Sequence, residues 1–238
     1  MSSESPICLE RTITTNSGDK LLIQSRNPLA KNHFDNPGNF ADFILQQINN
    51  DKLYNSYLNL TNSVIFDIGA NIGLFSLHCI GSASKIYSFE PTPQHFLLLK
   101  EFTENHESII PVNVAISDKD SDVTFYMHET NTTMNSIANK YGKQITVKGR
   151  SLISFITEQN IEKVDFIKCD IEGSEMIALK EECIRPLFDI VDKWFIEVHP
   201  TSGSDLYNNV NILITGFRNV GYTCQRLNRD TLYCHKNN

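Results

Sequence analysis

The chain opens with two short apolar and β-branched runs at 7–14 and 20–25, separated by Asn16-Ser17-Gly18-Asp19, which predicts a hairpin or a pair of strands. The Asn- and Pro-rich stretch at 28–38 reads as a loop. Beyond it Phe40, Phe43, Ile44 and Ile48 recur at helical spacing and predict an amphipathic helix over about 39–50. From Ser63 onward the pattern alternates regularly. Buried-type runs at about 64–68, 86–90, 110–115, 164–169 and 193–198 predict strands, and the stretches at about 73–80, 93–105, 150–159 and 174–188 predict helices between them. Such alternation is the signature of a parallel sheet with helices on both faces. The end departs from it, because 222–227 and 231–235 read as strands joined by the tight turn Asn228-Arg229-Asp230. One region breaks the rhythm: strands expected at 123–127 and 144–148 flank the polar run Glu129 to Ser136. A polar insertion of this length in a small domain is either functional or disordered.

The run Val64-Ile65-Phe66-Asp67-Ile68 breaks into Gly69-Ala70-Asn71-Ile72-Gly73 where a helix should begin, and the next run, Ile86-Tyr87-Ser88-Phe89, ends on Glu90. Glycines at a strand–helix junction let a ligand approach the backbone, because no Cβ blocks it, and the first N–H groups of the helix face that ligand. A carboxylate ending the following strand is within reach of a ribose diol. The order Asp67-x-Gly69-x-Asn71-x-Gly73 does not fit the dinucleotide fingerprint G-x-G-x-x-G. An acidic residue just before the first glycine would repel a diphosphate and attract the cationic end of S-adenosylmethionine (SAM), so SAM is favoured over NAD.

The blocks Phe66 to Gly73, Phe89-Glu90-Pro91, Val114-Ala115-Ile116-Ser117-Asp118, Ile167 to Glu175 and Ile196-Glu197-Val198-His199-Pro200 resemble the successive motifs of the FkbM-like family of SAM-dependent methyltransferases. The resemblance implies an α/β class I methyltransferase, Rossmann-like. Its sheet would be seven-stranded and mostly parallel with an antiparallel C-terminal hairpin strand, preceded by a small N-terminal β/α extension. Residues 1–60 would form that extension, of a kind often placed over the cofactor, and 61–238 the methyltransferase domain. It implies methylation of a hydroxyl on a sugar, glycan or other small metabolite. Asp67, Gly69, Asn71 and Gly73 would surround the methionine end of SAM, Glu90 would bind the ribose, and the Ala115-Ile116 backbone would flank adenine. Where the family often starts a helix with T-L-D-D-F, this chain has Ser151-Leu152-Ile153-Ser154-Phe155. The rival readings are an NAD(P)-linked oxidoreductase and a non-catalytic SAM-binding module.

A hydroxyl acceptor needs help to lose its proton, from a base or a metal ion. Asp170 and Glu172 end one predicted strand, and Glu197 and His199 end another; neighbouring strands would bring all four to one crevice. His199 is the expected proton acceptor, because imidazole titrates near neutrality. Asp170 is expected near the SAM methionine or the acceptor, and Glu175 in stabilising a helix start. Mg²⁺ held by Asp170, Glu172 and Glu197 is the less favoured alternative. His33, His78, His95 and His128 have no companions at metal spacing.

The 238 residues suit one domain core, and 40% of them are apolar. A formal charge of −7 with scattered basic residues disfavours nucleic acid as a partner. Residues 1–10 lack the pattern of a secretory signal and no apolar run is long enough to span a bilayer, so the expectation is a soluble, cytoplasmic protein that binds no membrane. The six cysteines, Cys8, Cys79, Cys169, Cys183, Cys224 and Cys234, form no C-x-x-C pair and are expected as thiols, with Cys224 and Cys234 near one another across the terminal hairpin.

Overall fold

The computed structural model describes residues 7–35, 57–58, 61–127, 136–138 and 142–237. The helix expected over 39–50 and the polar run 129–135 lie outside them. The central sheet has seven strands: β3 (Ser63–Ile68), β4 (Ala83–Phe89), β5 (Ile109–Val112), β9 (Phe166–Cys169), β10 (Lys193–Glu197), β11 (Thr223–Arg226) and β12 (Thr231–His235). Their order is β11-β12-β10-β9-β3-β4-β5. Pairing is parallel from β10 through β9, β3 and β4 to β5, and β12 runs antiparallel to both β10 and β11. The terminal hairpin therefore enters the sheet as expected, with Cys224 directly opposite Cys234 and both present as thiols.

Strand alternation divides the core in two. Phe66, Ile68, Tyr87, Phe89, Ile167, Trp194 and Ile196 point to one face, which is covered by α4 (Leu152–Glu158), α5 (Glu175–Ala178), α6 (Glu181–Ile184) and α7 (Leu206–Val220). There the Phe155 ring meets Phe66, Tyr87 and Phe89 edge-on, with centroids 5.9, 5.4 and 4.8 Å away. Ile65, Ile86, Phe166 and Phe195 point to the other face, against α2 (Leu74–His78) and α3 (Pro93–Thr103). The antiparallel pair β1 (Leu9–Thr14) and β2 (Lys20–Ser25) and the helix α1 (Pro28–Asp35) add Leu9, Ile13, Ile23, Ala30 and Phe34 to that face. Their hydrogen bonds go to the carboxyl end of α2 and to α3: His78 Nδ1 meets the Thr14 carbonyl at 2.8 Å and Ser25 Oγ donates to Glu101. These bonds tie this part of the extension to the carboxyl end of α2 and to the second half of α3.

Other expectations need correction. The stretch read as a loop from 28 begins with a helix, because Asn27 Oδ1 accepts the Leu29 N–H and Pro28 occupies the first helical position, where its missing N–H costs nothing. The expected strand at 110–115 divides: β5 stays in the main sheet, and β6 (Ala115–Ile116) joins β7 (Ser121–Met127) and β8 (Lys143–Arg150) in a three-stranded side sheet. The helix expected over 174–188 is broken into α5, α6 and a 3₁₀ turn, Arg185–Leu187. Lys180 is extended between the first two, and Pro186 cannot donate. Helix α7 was not expected at all. Its signals are the cap Asp205, whose side chain accepts the Asn208 N–H, the stripe Val210, Leu213 and Phe217, and Gly221 at its end.

One glycine position is dictated by close approach. A Cβ on Gly69, whose φ is +80°, would lie 1.8 Å from the Asp170 carbonyl oxygen. Gly69→Ala should therefore cost at least about 3 kcal/mol, combining left-handed strain and a backbone clash. Gly203→Ala, with open space around the added methyl, should stay within about 0.5 kcal/mol. Urea unfolding of both variants checks the contrast, and equal midpoints would contradict it.

Candidate active site

The carboxyl ends of β10, β9, β3 and β4 lie side by side along one edge of the sheet, and Asp67, Glu90, Asp170, Glu172, Glu197 and His199 lie at or just beyond them. After β3 the chain turns through Gly69, Asn71 and Gly73, which have φ of +80°, +53° and +88°. The glycines were expected to leave room for a ligand, but their neighbours are protein: Gly69 abuts the Asp170 carbonyl, and a Cβ on Gly73 would lie 2.6 Å from Leu99 Cδ1. Their lack of a side chain brings strand and helix together. Glu90, at the end of β4, is buried and uses both oxygens on this turn, accepting the Asn71 N–H at 3.0 Å and the Thr92 N–H at 2.7 Å. His95, on α3, stands 3.7 Å from the same carboxylate. Ala115 and Ile116 are buried in β6, paired in register with Gly149 and Arg150.

Asp67 is fully buried one position before the end of β3. Ser76 Oγ, on α2, donates to it at 2.6 Å and also meets Ser88 Oγ at 2.7 Å. Its partner in charge is Lys168, the register neighbour of Asp67 on β9, whose Nζ lies 3.6 Å from Asp67 Oδ1, 3.3 Å from Asp170 Oδ2 and 3.3 Å from the Gly69 carbonyl. Burial raises the Asp67 pKa, against the opposing pull of Lys168 and Ser76. Sequence reasoning passed over Lys168. Its signal was a lysine inside an otherwise apolar strand, two residues before Asp170.

The second group surrounds His199. The ring Nδ1–H donates to Glu175 Oε1 at 3.2 Å, and Nε2 lies 3.6 Å from Glu172 Oε2, 3.8 Å from Glu197 Oε1 and 3.9 Å from Asp170 Oδ1. The backbone here is held from two sides. Ser136 Oγ donates to the Glu172 carbonyl at 2.7 Å, and Asn209 of α7 donates to the His199 carbonyl at 2.8 Å. Glu175, expected to stabilise a helix start, instead accepts the Ile171 N–H of the preceding turn at 2.9 Å and is the fully buried partner of the ring.

Those surroundings favour the charged form of the His199 ring. Burial disfavours the charged ring, yet the bond and charge of Glu175, with Asp170 and Glu172, outweigh it and push the pKa up to about 11, so the metal-free ring is an imidazolium at neutral pH. Burial, then the neighbouring carboxylates, raise Glu172 to about 8 against the pull of His199; the charge of Asp170, then burial, raise Glu197 to about 7. Asp170, Glu172 and His199 each offer a ligand atom, and these lie within 4.8 Å of one another.

A parallel sheet of this strand order, with an antiparallel strand inserted beside its edge and acidic groups at the carboxyl ends, is the fold of the class I methyltransferases. The family model of the methyltransferase FkbM domain matches residues 67–224, and the chain belongs to that family. Hexuronic acid methyltransferase AglP of Haloferax volcanii is 27% identical over 120 residues, which cover 50% of this chain and 49% of that protein. The match thus spans about half the length of that relative. Methyltransferase 1 of Beauveria bassiana is 25% identical over 188 residues, covering 68% of this chain and 75% of its own. The crystal structure of methyltransferase FkbM from Methylobacillus flagellatus KT aligns with a TM-score of 0.48 at 19% identity, covering 73% of this chain and 44% of that one. No helix among the described residues is long and apolar enough to cross a membrane.

The raised pKa values set the sign of a pH dependence. A group whose pKa is higher folded than unfolded gives stability that is complete below the unfolded value and lost as pH rises through the folded one. Glu172 and Glu197 act between about 4.5 and their folded values of about 8 and 7, and His199 between about 6.5 and 11. Chelator-treated protein should therefore lose stability from about pH 5 to about pH 9, and Glu172→Gln should flatten that slope. Urea unfolding across this range measures it; stability rising with pH would contradict the assignment.

Proposed function

We propose that this chain transfers a methyl group from S-adenosylmethionine to a hydroxyl of a sugar, glycan or similar small molecule. The observation that carries the reading is the placement of the Glu90 and glycine-turn group beside the Asp170–Glu172–Glu197–His199 group along one edge of the sheet. Membership of the FkbM family supports methyl transfer, and the name of the Haloferax relative supports a sugar acceptor. The formal charge of −7 disfavours a nucleic-acid acceptor.

The residues present fit the cofactor. Glu90 is a carboxylate already fixed by two backbone N–H groups, so it can accept ribose hydroxyls through its remaining lone pairs without reorganising. Thr92 Oγ1, buried beside it, has no hydrogen-bond partner among the described residues. The turn at Gly69, Asn71 and Gly73 and the carboxylate of Asp170 would face the cationic methionine end, and Ala115-Ile116 would flank adenine. Asp67 acts at one remove, holding Lys168 against the Gly69 carbonyl. The cofactor supplies a methyl group on a sulfonium centre, so the chain's own task is to align the acceptor and remove its proton. Glu197 is assigned as the proton acceptor because its side chain is the most exposed of the carboxylates around His199, at 30% against 26% for Asp170, 21% for Glu172 and 0% for Glu175.

Two variants test this reading. Glu90→Ala should weaken SAM binding by about 1.5–3 kcal/mol, the range for hydrogen bonds to a charged group, with Glu90→Gln intermediate. Calorimetry showing wild-type affinity in both folded variants would remove Glu90 from the ribose site. Glu197→Gln should bind SAM normally and lose roughly 10²–10⁴-fold in methyl transfer to a uronic acid or sugar acceptor. Unchanged turnover would reject Glu197 as the base. Wild-type protein that binds NAD and not SAM would reject the reading as a whole.

A further inference from the structure

Asp170, Glu172 and His199 come from two neighbouring strand ends, yet each offers one ligand atom, and the three atoms lie within 4.8 Å of one another. In the octahedral sites of divalent cations, adjacent ligand atoms lie about 3 Å apart. The Nε2 distances of 3.9 Å to Asp170 and 3.6 Å to Glu172 exceed that by less than about 1 Å, a gap that side-chain rotation closes. The surroundings of the ring are those of a metal ligand. Its Nδ1–H is held by a fully buried carboxylate, Glu175, so that Nε2 is turned to the acidic side, the arrangement by which proteins fix and strengthen metal-binding imidazoles. The second oxygen of that carboxylate, Glu175 Oε2, is buried with no hydrogen-bond partner among the described residues. The ligands are also held in place: Asp170 by Lys168 through Oδ2, which leaves Oδ1 for the cluster, Glu172 by Ser136 at its carbonyl, and His199 by Asn209 at its own.

We propose that Asp170, Glu172 and His199 form a binding site for one divalent cation of the Mn²⁺ type, against which the methyl acceptor docks its hydroxyl. One imidazole nitrogen with two carboxylate oxygens suits a first-row cation that takes both donor types, better than Ca²⁺, which prefers six to eight oxygens. Three protein ligands would leave coordination positions for water or a sugar hydroxyl. The cation lowers the pKa of that hydroxyl. Its proton passes to Glu197, the oxygen forms a bond to the methyl carbon, the carbon–sulfur bond breaks, and its electron pair stays on sulfur as a neutral thioether. The role in catalysis rests on the methyl-transfer reading, whereas binding of the ion does not.

The test uses the full chain, stripped with chelator and dialysed, and titrated with Mn²⁺ while the electron paramagnetic resonance of the free ion is followed. Wild type should take up one ion per chain. Asp170→Asn, Glu172→Gln and His199→Gln should each weaken uptake at least tenfold, and Glu175→Gln, which acts through the ring, by about 10–100-fold. Asp122→Asn, which removes an exposed ion pair with Lys148, should change nothing. Near-ultraviolet circular dichroism of each variant verifies folding. No uptake by the wild type, or equal uptake by wild type and the folded ligand variants, overturns the site. SAM binding to the stripped protein, measured by equilibrium dialysis, is read separately: its loss in protein that still binds Mn²⁺ would reject the methyl-transfer reading and leave the metal site standing.

Discussion

A lysine buried between two aspartates joins the strand ends that carry the crevice. Asp67 has no exposure to solvent, and an isolated carboxylate in that position would cost several kcal/mol. Lys168 offsets this because the parallel register of β3 and β9 sets the two residues side by side. A slip of one residue would present Ile167 or Cys169 to the Asp67 position and strand the charge. The same lysine reaches the Gly69 carbonyl and Asp170, and Gly69 in turn packs against the Asp170 carbonyl. One charge network thus sets both register and the spacing between the glycine turn and the acidic cluster.

From that junction the crevice divides into two electrostatic regions. Toward β4 the groups are few, and Glu90 is already fixed by the Asn71 and Thr92 N–H groups. Toward β10 the groups repel one another, with Asp170, Glu172, Glu175 and Glu197 around a single ring. A proton on His199 relieves part of this repulsion, and a divalent cation would relieve more. The insertion contributes to this half, since Ser136 and its neighbour Ile137 bind the turn at Glu172 to Ser174.

Much of this fold was legible in the sequence because strands buried on both faces read as unbroken apolar runs, and a terminal hairpin carries its own turn residues. What failed had local causes. Helix α7 escaped because Asn208, Asn209, Asn211, Thr215, Gly216 and Asn219 are poor helix formers, and packing of Val210, Leu213 and Phe217 on the sheet overrides them. The site residues were legible as positions more than as roles. Asp170, Glu172, Glu197 and His199 do converge, but whether a histidine gives or takes a proton depends on how many carboxylates meet it in space. Glu175, four residues after Ile171 in sequence and 24 before His199, carried no sign of the second contact.

The dependence of the crevice on the buried network is most directly measured by a double-mutant cycle between Asp67→Asn and Lys168→Met, read as unfolding free energy in urea. Lys168→Met leaves Asp67 as an uncompensated buried charge and should cost about 3–5 kcal/mol, whereas Asp67→Asn leaves Lys168 paired with Asp170 and should cost less, about 1–3 kcal/mol. The double variant, in which neither charge remains, should be more stable than the sum of the singles by at least about 2 kcal/mol. Costs that simply add, or single variants within about 0.5 kcal/mol of wild type, would show that the strand ends are held together by something other than this ion pair.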